Sequence, residues 1–272
     1  YMAVKMSEGQ HAWWDWPEGV KRREPAAMNA ARKTHADAIE FWRFVQWNFA
    51  TQCSALKAYA HEHGVSLIGD LPIFVAHDSA DCWARPDLYF LDDNFQTTVV
   101  AGVPPDDLGP LGQRWGNPLY RWDRMAAETY GWWTARVKHA LTQVDVIRID
   151  HFRGFDAYWR IPLPAANARV GEWMPGPGLE LFRAFQAAFP AGQRNVRLIV
   201  KVRGGQYSGD AGMRKWLGET AAHDPRIEIV DKTLDRNQMD TLMQSCDVFI
   251  SLHRSEGFGF GAAEALARIS AA

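Results

Sequence analysis

Cysteine is scarce. The 272 residues include three, Cys53, Cys82 and Cys246. They are too few and too widely spaced for a disulfide framework or a metal-spaced pair, so reduced thiols in a cytoplasm are expected. Net charge is only −2 with histidine neutral, which excludes bulk electrostatic attraction to nucleic acid or to an anionic membrane. No apolar run approaches the ~20 residues of a membrane span. The opening YMAVKMSEGQ lacks the apolar segment of a signal peptide, and a start at Tyr1 rather than methionine suggests a missing upstream part. Short internal repeats and low-complexity tracts are lacking too. What remains, 47% hydrophobic and 23% charged residues, suits a globular chain of one large domain or two modest ones.

Tryptophan, by contrast, is abundant and unevenly spread. Thirteen are present, and twelve stand at or before Trp173, with Trp216 alone beyond. Such an imbalance suggests two segments of different origin. Aromatic faces stack on sugar rings through apolar contact, so the density fits a carbohydrate site. The competing reading is that most of these rings are core.

The periodicity alternates between helix and strand. Ile39, Trp42, Val45 and Phe49 recur at helical spacing, predicting a helix over 35–64 with Gly64 as its terminal cap. Strands are predicted over 65–76 (VSLIGDLPIFVA), 144–150, 195–202, 226–230 and 247–252. Helices are predicted over 130–141, 179–189, 212–223, 236–244 and from about 261. The Pro-, Gly- and Asp-rich stretch 78–119 has little periodicity and is expected to be a long functional loop, as is GEWMPGPG at 171–178. This alternation predicts an α/β fold with mostly parallel pairing.

One stretch, VDVIRIDHFRGF at 144–155, ends an apolar run on a carboxylate. In a strand, alternation sends Ile147 and Ile149 to one face and Arg148 and Asp150 to the other. An ordinary ion pair at a strand end would account for Arg148 and Asp150. A catalytic carboxylate would instead need a partner.

The phrases WWDWPEGVKRRE, IGDLPIFVAHDSADCWARPDLYFLD, VAGVPP, GQRWGNPLYRWD, GWWTARVKHAL, IRIDHFRGFDAYWRIP and GEWMPGPG resemble the amylomaltases, the 4-α-glucanotransferases of glycoside hydrolase family 77. They run in order over about residues 11–185. The resemblance implies a (β/α)8 barrel of TIM type, partial here, with its site at the strand C-termini. It implies that Asp150 is the nucleophile that carries a covalent glycosyl group. Arg148 would be the neighbouring arginine favouring its ionised form, and Asp70 the third-strand aspartate that shapes the sugar site. Gln113, Trp115 and Asn117 fall on the loop that overhangs bound glucan, and His151 joins them as substrate-binding. The partner implied is an α-1,4-glucan or maltooligosaccharide, with no cofactor, metal, nucleic acid or membrane. One departure lies after VPPD, where family members have an aromatic pair and this chain has Asp107 and Leu108, one stacking face fewer for the acceptor. His61 and His63, at one helix end, are read as solvated rather than as metal ligands.

A retaining mechanism needs a second carboxyl group about 5–5.5 Å from the first. In family members a fifth-strand glutamate, in a phrase like AEDLG, supplies it, and a His–Asp pair follows from the seventh strand. Here the strand VRLIVKVRGG puts Lys201 about where the acid belongs, and an ammonium is a poor donor opposing a cationic transition state. Neither the acid nor the pair is found downstream. From about 182 to 267 the phrases RAFQAAFP, VRLIVKV, DPRIEIVD and CDVFISLHRSEGFGFGAAEALA resemble instead the C-terminal Rossmann-like domain of family 4 glycosyltransferases. There Glu256 and Glu264 would face a nucleotide sugar, and Gly257, Gly259 and Gly261 would let backbone amides approach its phosphates. A plain strand-to-helix turn accounts for the glycines equally well.

The expectation is therefore a hybrid. A partial amylomaltase-type barrel over 1–181, without its first two strands and everything from the fifth on, is joined to a partial nucleotide-sugar domain over 182–272. Residues 196–202 would stand in for the fifth strand of an open parallel sheet. The function implied is 4-α-glucanotransferase transglycosylation, impaired for want of a proton donor. The alternatives are a nucleotide-sugar glycosyltransferase fragment and a noncatalytic glucan-binding remnant.

Overall fold

A computed structural model describes residues 1–106, 109–189, 198–202, 227–231 and 234–244. Contacts divide the described residues into two units, Tyr1–Ala188 and the segments from Phe189 onward. The first unit runs α1 (Met2–Ser7), α2 (Glu18–Lys21), α3 (Pro25–Thr34), α4 (Ala36–Glu62), β1 (Ile68–Pro72), α5 (Ala80–Ala84), β2 (Val99–Val103), β3 (Gln113–Pro118), α6 (Trp122–Ala127), α7 (Gly131–Gln143), β4 (Val146–Asp150), β5 (Ala157–Pro162), β6 (Glu172–Pro175) and α8 (Leu179–Ala188). The second unit holds β7 (Leu198–Val202), β8 (Ile227–Asp231) and α9 (Arg236–Gln244).

The periodic segments fold as their spacing predicts. Gly64 closes α4 with φ of 71°, the left-handed conformation a glycine adopts without a Cβ penalty, and Val65 N–H reaches back to the Ala60 carbonyl at 2.8 Å. Of the predicted α4 stripe, Ile39, Trp42 and Val45 are partly buried, whereas Phe49 is exposed along with Phe41, Phe44 and Trp47. β1 and β4 pair in parallel, with Asp70 opposite Arg148 and Pro72 opposite Asp150. β7 pairs with β8, also in parallel. The β1–β4 sheet is two-stranded among the described residues. The predicted helices over 212–223 and from 261, and the strand over 247–252, lie outside the described residues.

The largest sheet was not expected. β3-β2-β5-β6 form a four-stranded antiparallel sheet, so pairing in the first unit is mixed rather than mostly parallel. Two of its strands and the helix α5 fall in the stretch expected to be a loop, and β6 falls in the second such stretch. The strands are short and interrupted by glycine and proline, and β2 is nearly fully buried, which removes the alternation that marks a half-buried strand. Gly102 is needed within it, because a Cβ there would sit 2.1 Å from the Gln113 carbonyl oxygen.

The core of the first unit is aromatic. Trp13, Trp16, Trp83, Tyr120, Trp122, Trp133 and Phe155 are buried in one cluster that Leu71, Ile149 and Phe182 join from its edge. Each such side chain removed from water contributes about 1.5–3 kcal/mol. For these tryptophans the core reading holds; Trp115 and Trp173 remain exposed. Among the described residues no helix is long and apolar enough to cross a membrane.

Candidate active site

The site grows out of the alternation along β4. Ile149 turns inward with Leu71 of β1 and packs on the aromatic cluster, which leaves Arg148 and Asp150 on the opposite face. Arg148 lies across from Asp70 in register, so its fork reaches both carboxylates. Nη1 donates to Asp70 Oδ1 and Nη2 to Asp150 Oδ1, each at 2.8 Å. One guanidinium thus ties together two carboxylates from adjacent parallel strands. Burial opposes the charge on Arg148, but Asp70 and Asp150 outweigh it and raise its pKa above the ordinary arginine value. The Asp70 and Asp150 side chains are 60% and 56% exposed, so a substrate can reach both.

An aromatic wall stands beside this pair. His151 follows β4, and its φ of 50° turns the chain into the 3-10 turn Phe152–Phe155. The ring of Trp115 on β3 meets the His151 ring edge-on, with centroids 4.9 Å apart, and Phe74 lies 6.4 Å from it on another side. Trp115 Nε1 donates to Gln113 Oε1 at 3.0 Å. Burial holds the His151 imidazole below the usual histidine pKa; the Asp150 charge opposes this and that of Arg153 adds to it. His151 Nε2 is buried without a hydrogen-bond partner among the described residues. Asn117 commits its side-chain amide to the Val75 carbonyl at 2.9 Å, which ties β3 to the chain leaving β1.

Asp70, Arg148, Asp150, His151, Trp115 and Gln113 therefore form one cluster, with Asn117 bracing it. An exposed carboxylate can attack an electrophilic carbon, and charged groups beside an indole face suit a ring that is apolar on its faces and polar at its rim. Both carboxyl groups accept hydrogen bonds from Arg148 at Oδ1, which fixes their orientation. No group of three or more metal-ligating side chains occurs among the described residues.

At the opposite ends of the same strands, His61 Nε2 lies 2.9 Å from Asp145 Oδ2, so the exposed ring has a partner. Asp145, Arg136 and Tyr120 were not singled out in the sequence; the one local signal is Arg136 standing three and four residues after two tryptophans. Lys201 pairs through its backbone with Val230. Asp107, Leu108, Glu256, Gly257, Gly259, Gly261 and Glu264 lie outside the described residues.

Comparison with known proteins places the chain in a family. The description of glycoside hydrolase family 77, 4-alpha-glucanotransferase, matches residues 1–199. The chain is 47% identical to the 4-alpha-glucanotransferase of Thermus thermophilus over 189 residues, 70% of this chain and 38% of that protein. It is 43% identical to that of Aquifex aeolicus over 190 residues, 70% and 39% of the two chains. Among solved structures, amylomaltase from Streptococcus agalactiae in complex with acarbose superimposes with a TM-score of 0.70 at 34% identity, covering 81% of this chain and 43% of that one. The chain thus spans about two fifths of the length of the curated relatives it matches.

Proposed function

Because the chain belongs to the 4-alpha-glucanotransferase family, glycoside hydrolase family 77, we propose that its first unit binds α-1,4-glucans and carries the nucleophilic half of a transglycosylation site. The observation that supports this most directly is the Arg148 fork between Asp70 and Asp150. In the proposed first step an Asp150 carboxylate oxygen attacks the anomeric carbon, and the glycosidic bond breaks toward the leaving 4-oxygen. Asp70 and Arg148 shape the pocket around the sugar, and Trp115, Gln113 and His151 line it. In the second step the 4-hydroxyl of another glucan attacks the same carbon, releases its proton to solvent and frees the carboxylate. A cytoplasmic setting belongs to the same proposal and draws on the free Cys53 and Cys82.

The leaving oxygen must take a proton, and the sequence offers no glutamate at the family position after α8. We therefore read turnover of natural glucans as impaired. A donor that leaves as an anion without protonation separates the two steps. With α-maltosyl fluoride the chain should gain one maltosyl mass on Asp150, and the Asp150→Asn chain should gain none. Absence of the adduct from the unsubstituted chain would sink the assignment of Asp150. Rapid glucose release from maltotriose would instead overturn the impairment.

A second reading draws on the motif around Glu256 and Glu264: residues 182–272 form a partial nucleotide-sugar domain joined to a partial barrel over 1–181. That reading rests on the sequence, and the hybrid character of the chain rests with it.

A further inference from the structure

The geometry points to Arg136 of α7 as a positioning residue for the Asp150 site, an inference that rests on the proposed glucan site and deepens it. Asp150 sits where β4 runs out and Asp70 two residues before the end of β1, and the chain that leaves β1 has no third strand beside it among the described residues. Its carbonyls are taken instead by side chains from elsewhere. Arg136 Nη2 donates to the Pro72 carbonyl at 2.8 Å, and Nη1 to the Ile73 carbonyl at 3.3 Å. The fully buried Tyr120 hydroxyl donates to that same Ile73 oxygen at 2.7 Å. Pro72 is the register partner of Asp150, so the arginine grips β1 directly across from the nucleophile.

The guanidinium is itself held in place. Helical side chains lean toward the N-terminus onto residues three and four earlier, and Arg136 accordingly lies over the rings of Trp133 and Trp132, 4.9 and 5.3 Å from their centroids. Stacked on two indoles and forked between two carbonyls, the planar group loses little further freedom; lysine can reproduce neither the fork nor the stack. Tyr120 and Asn117 belong to the chain that also carries Trp115, so the grip on residues 72–75 fixes the aromatic wall relative to the carboxylates. A shift of the order of an ångström between them suffices to slow attack strongly.

The test compares the chain with Arg136→Met and Arg136→Lys, each checked for folding by its melting transition. Two quantities are read: the saturating rate of Asp150 labelling by α-maltosyl fluoride with its half-saturating concentration, and the affinity for maltotetraose by calorimetry. Positioning predicts a saturating rate lower by about tenfold or more in both folded variants, with half-saturation little changed. Equal rates would overturn it. If the unsubstituted chain is not labelled, Asp150 is not the nucleophile and the positioning role falls with it; maltotetraose binding by that chain then shows whether the glucan site itself stands.

Discussion

Replacing Asp145 by alanine should destabilise the first unit by about 2 kcal/mol at pH 7. The residue precedes β4, and its carboxylate gathers three donors. Oδ2 accepts from Leu67 N–H at 2.9 Å and lies 2.9 Å from His61 Nε2, while Lys57 Nζ is 3.2 Å from Oδ1. The same lysine donates to the Val144 and Leu141 carbonyls at 2.8 and 3.2 Å. One carboxylate therefore fastens the C-terminal part of α4 to the starts of both strands that carry the candidate site. A hydrogen bond to a charged group contributes roughly 1.5–3 kcal/mol. The ion pairs are partly solvated and screened, and contribute far less, so the sum stays near that of one strong bond. The matching fall in melting temperature is about 4–8 °C.

The pH dependence fixes the sign. The Leu67 N–H first, then His61 and Lys57, pull the Asp145 carboxyl down to about 2, below the roughly 3.9 of an unfolded aspartate. A group with a depressed folded pKa stabilises fully above its unfolded value and loses that contribution as pH falls through the folded one. The gap between the chain and Asp145→Ala should be full above pH 4 and should narrow between about 4 and 2. Tryptophan fluorescence follows this unit, since twelve of the thirteen tryptophans precede residue 174. Equal melting temperatures at pH 7, or a gap that widens on acidification, would refute the reasoning.

Two further outcomes follow from other parts of the chain. Arg148→Met removes two exposed ion pairs and should cost under about 1 kcal/mol of stability, yet slow Asp150 labelling by α-maltosyl fluoride about a hundredfold; labelling at the original rate would show the fork to be incidental. If the second reading is right, the chain binds a nucleoside diphosphate saturably and Glu264→Ala abolishes that binding, while titration heats equal to buffer dilution for the unsubstituted chain would dispose of it.

How much of this was legible in the sequence follows from the range of each interaction. α4, α7 and α8 close their hydrogen bonds within a few residues, and β1 and β4, though paired across 78 residues, are marked by apolar runs of their own. β2 and β5 depend on each other across about sixty residues, with Val100 against Ile161, and nothing in Val99–Val103 points to that partner. Asp70, Arg148 and Asp150 could be foreseen as a group because family phrases name them and strand alternation puts 148 and 150 on one face. Their register, and hence the shared guanidinium, could not. Asn117 illustrates the limit: its amide donates to the Val75 carbonyl, a target that no local spacing encodes.

Two strands alone are marginal, so the β1–β4 pair has to be held from outside, and the holding groups divide by end. Lys57, His61 and Asp145 bind the chain where the strands begin, and Arg136, Tyr120 and Asn117 bind it where they finish, about 13 Å further along. Asp150 closes β4 at the second of these ends. Asp145→Ala should accordingly lower the melting temperature while the folded fraction labels at the original rate. Arg136→Lys should slow labelling of the folded fraction, beyond whatever it costs in melting temperature. If both variants instead lose stability and labelling in the same proportion, the two ends are not separable, and the pair answers to any perturbation as a single rigid body.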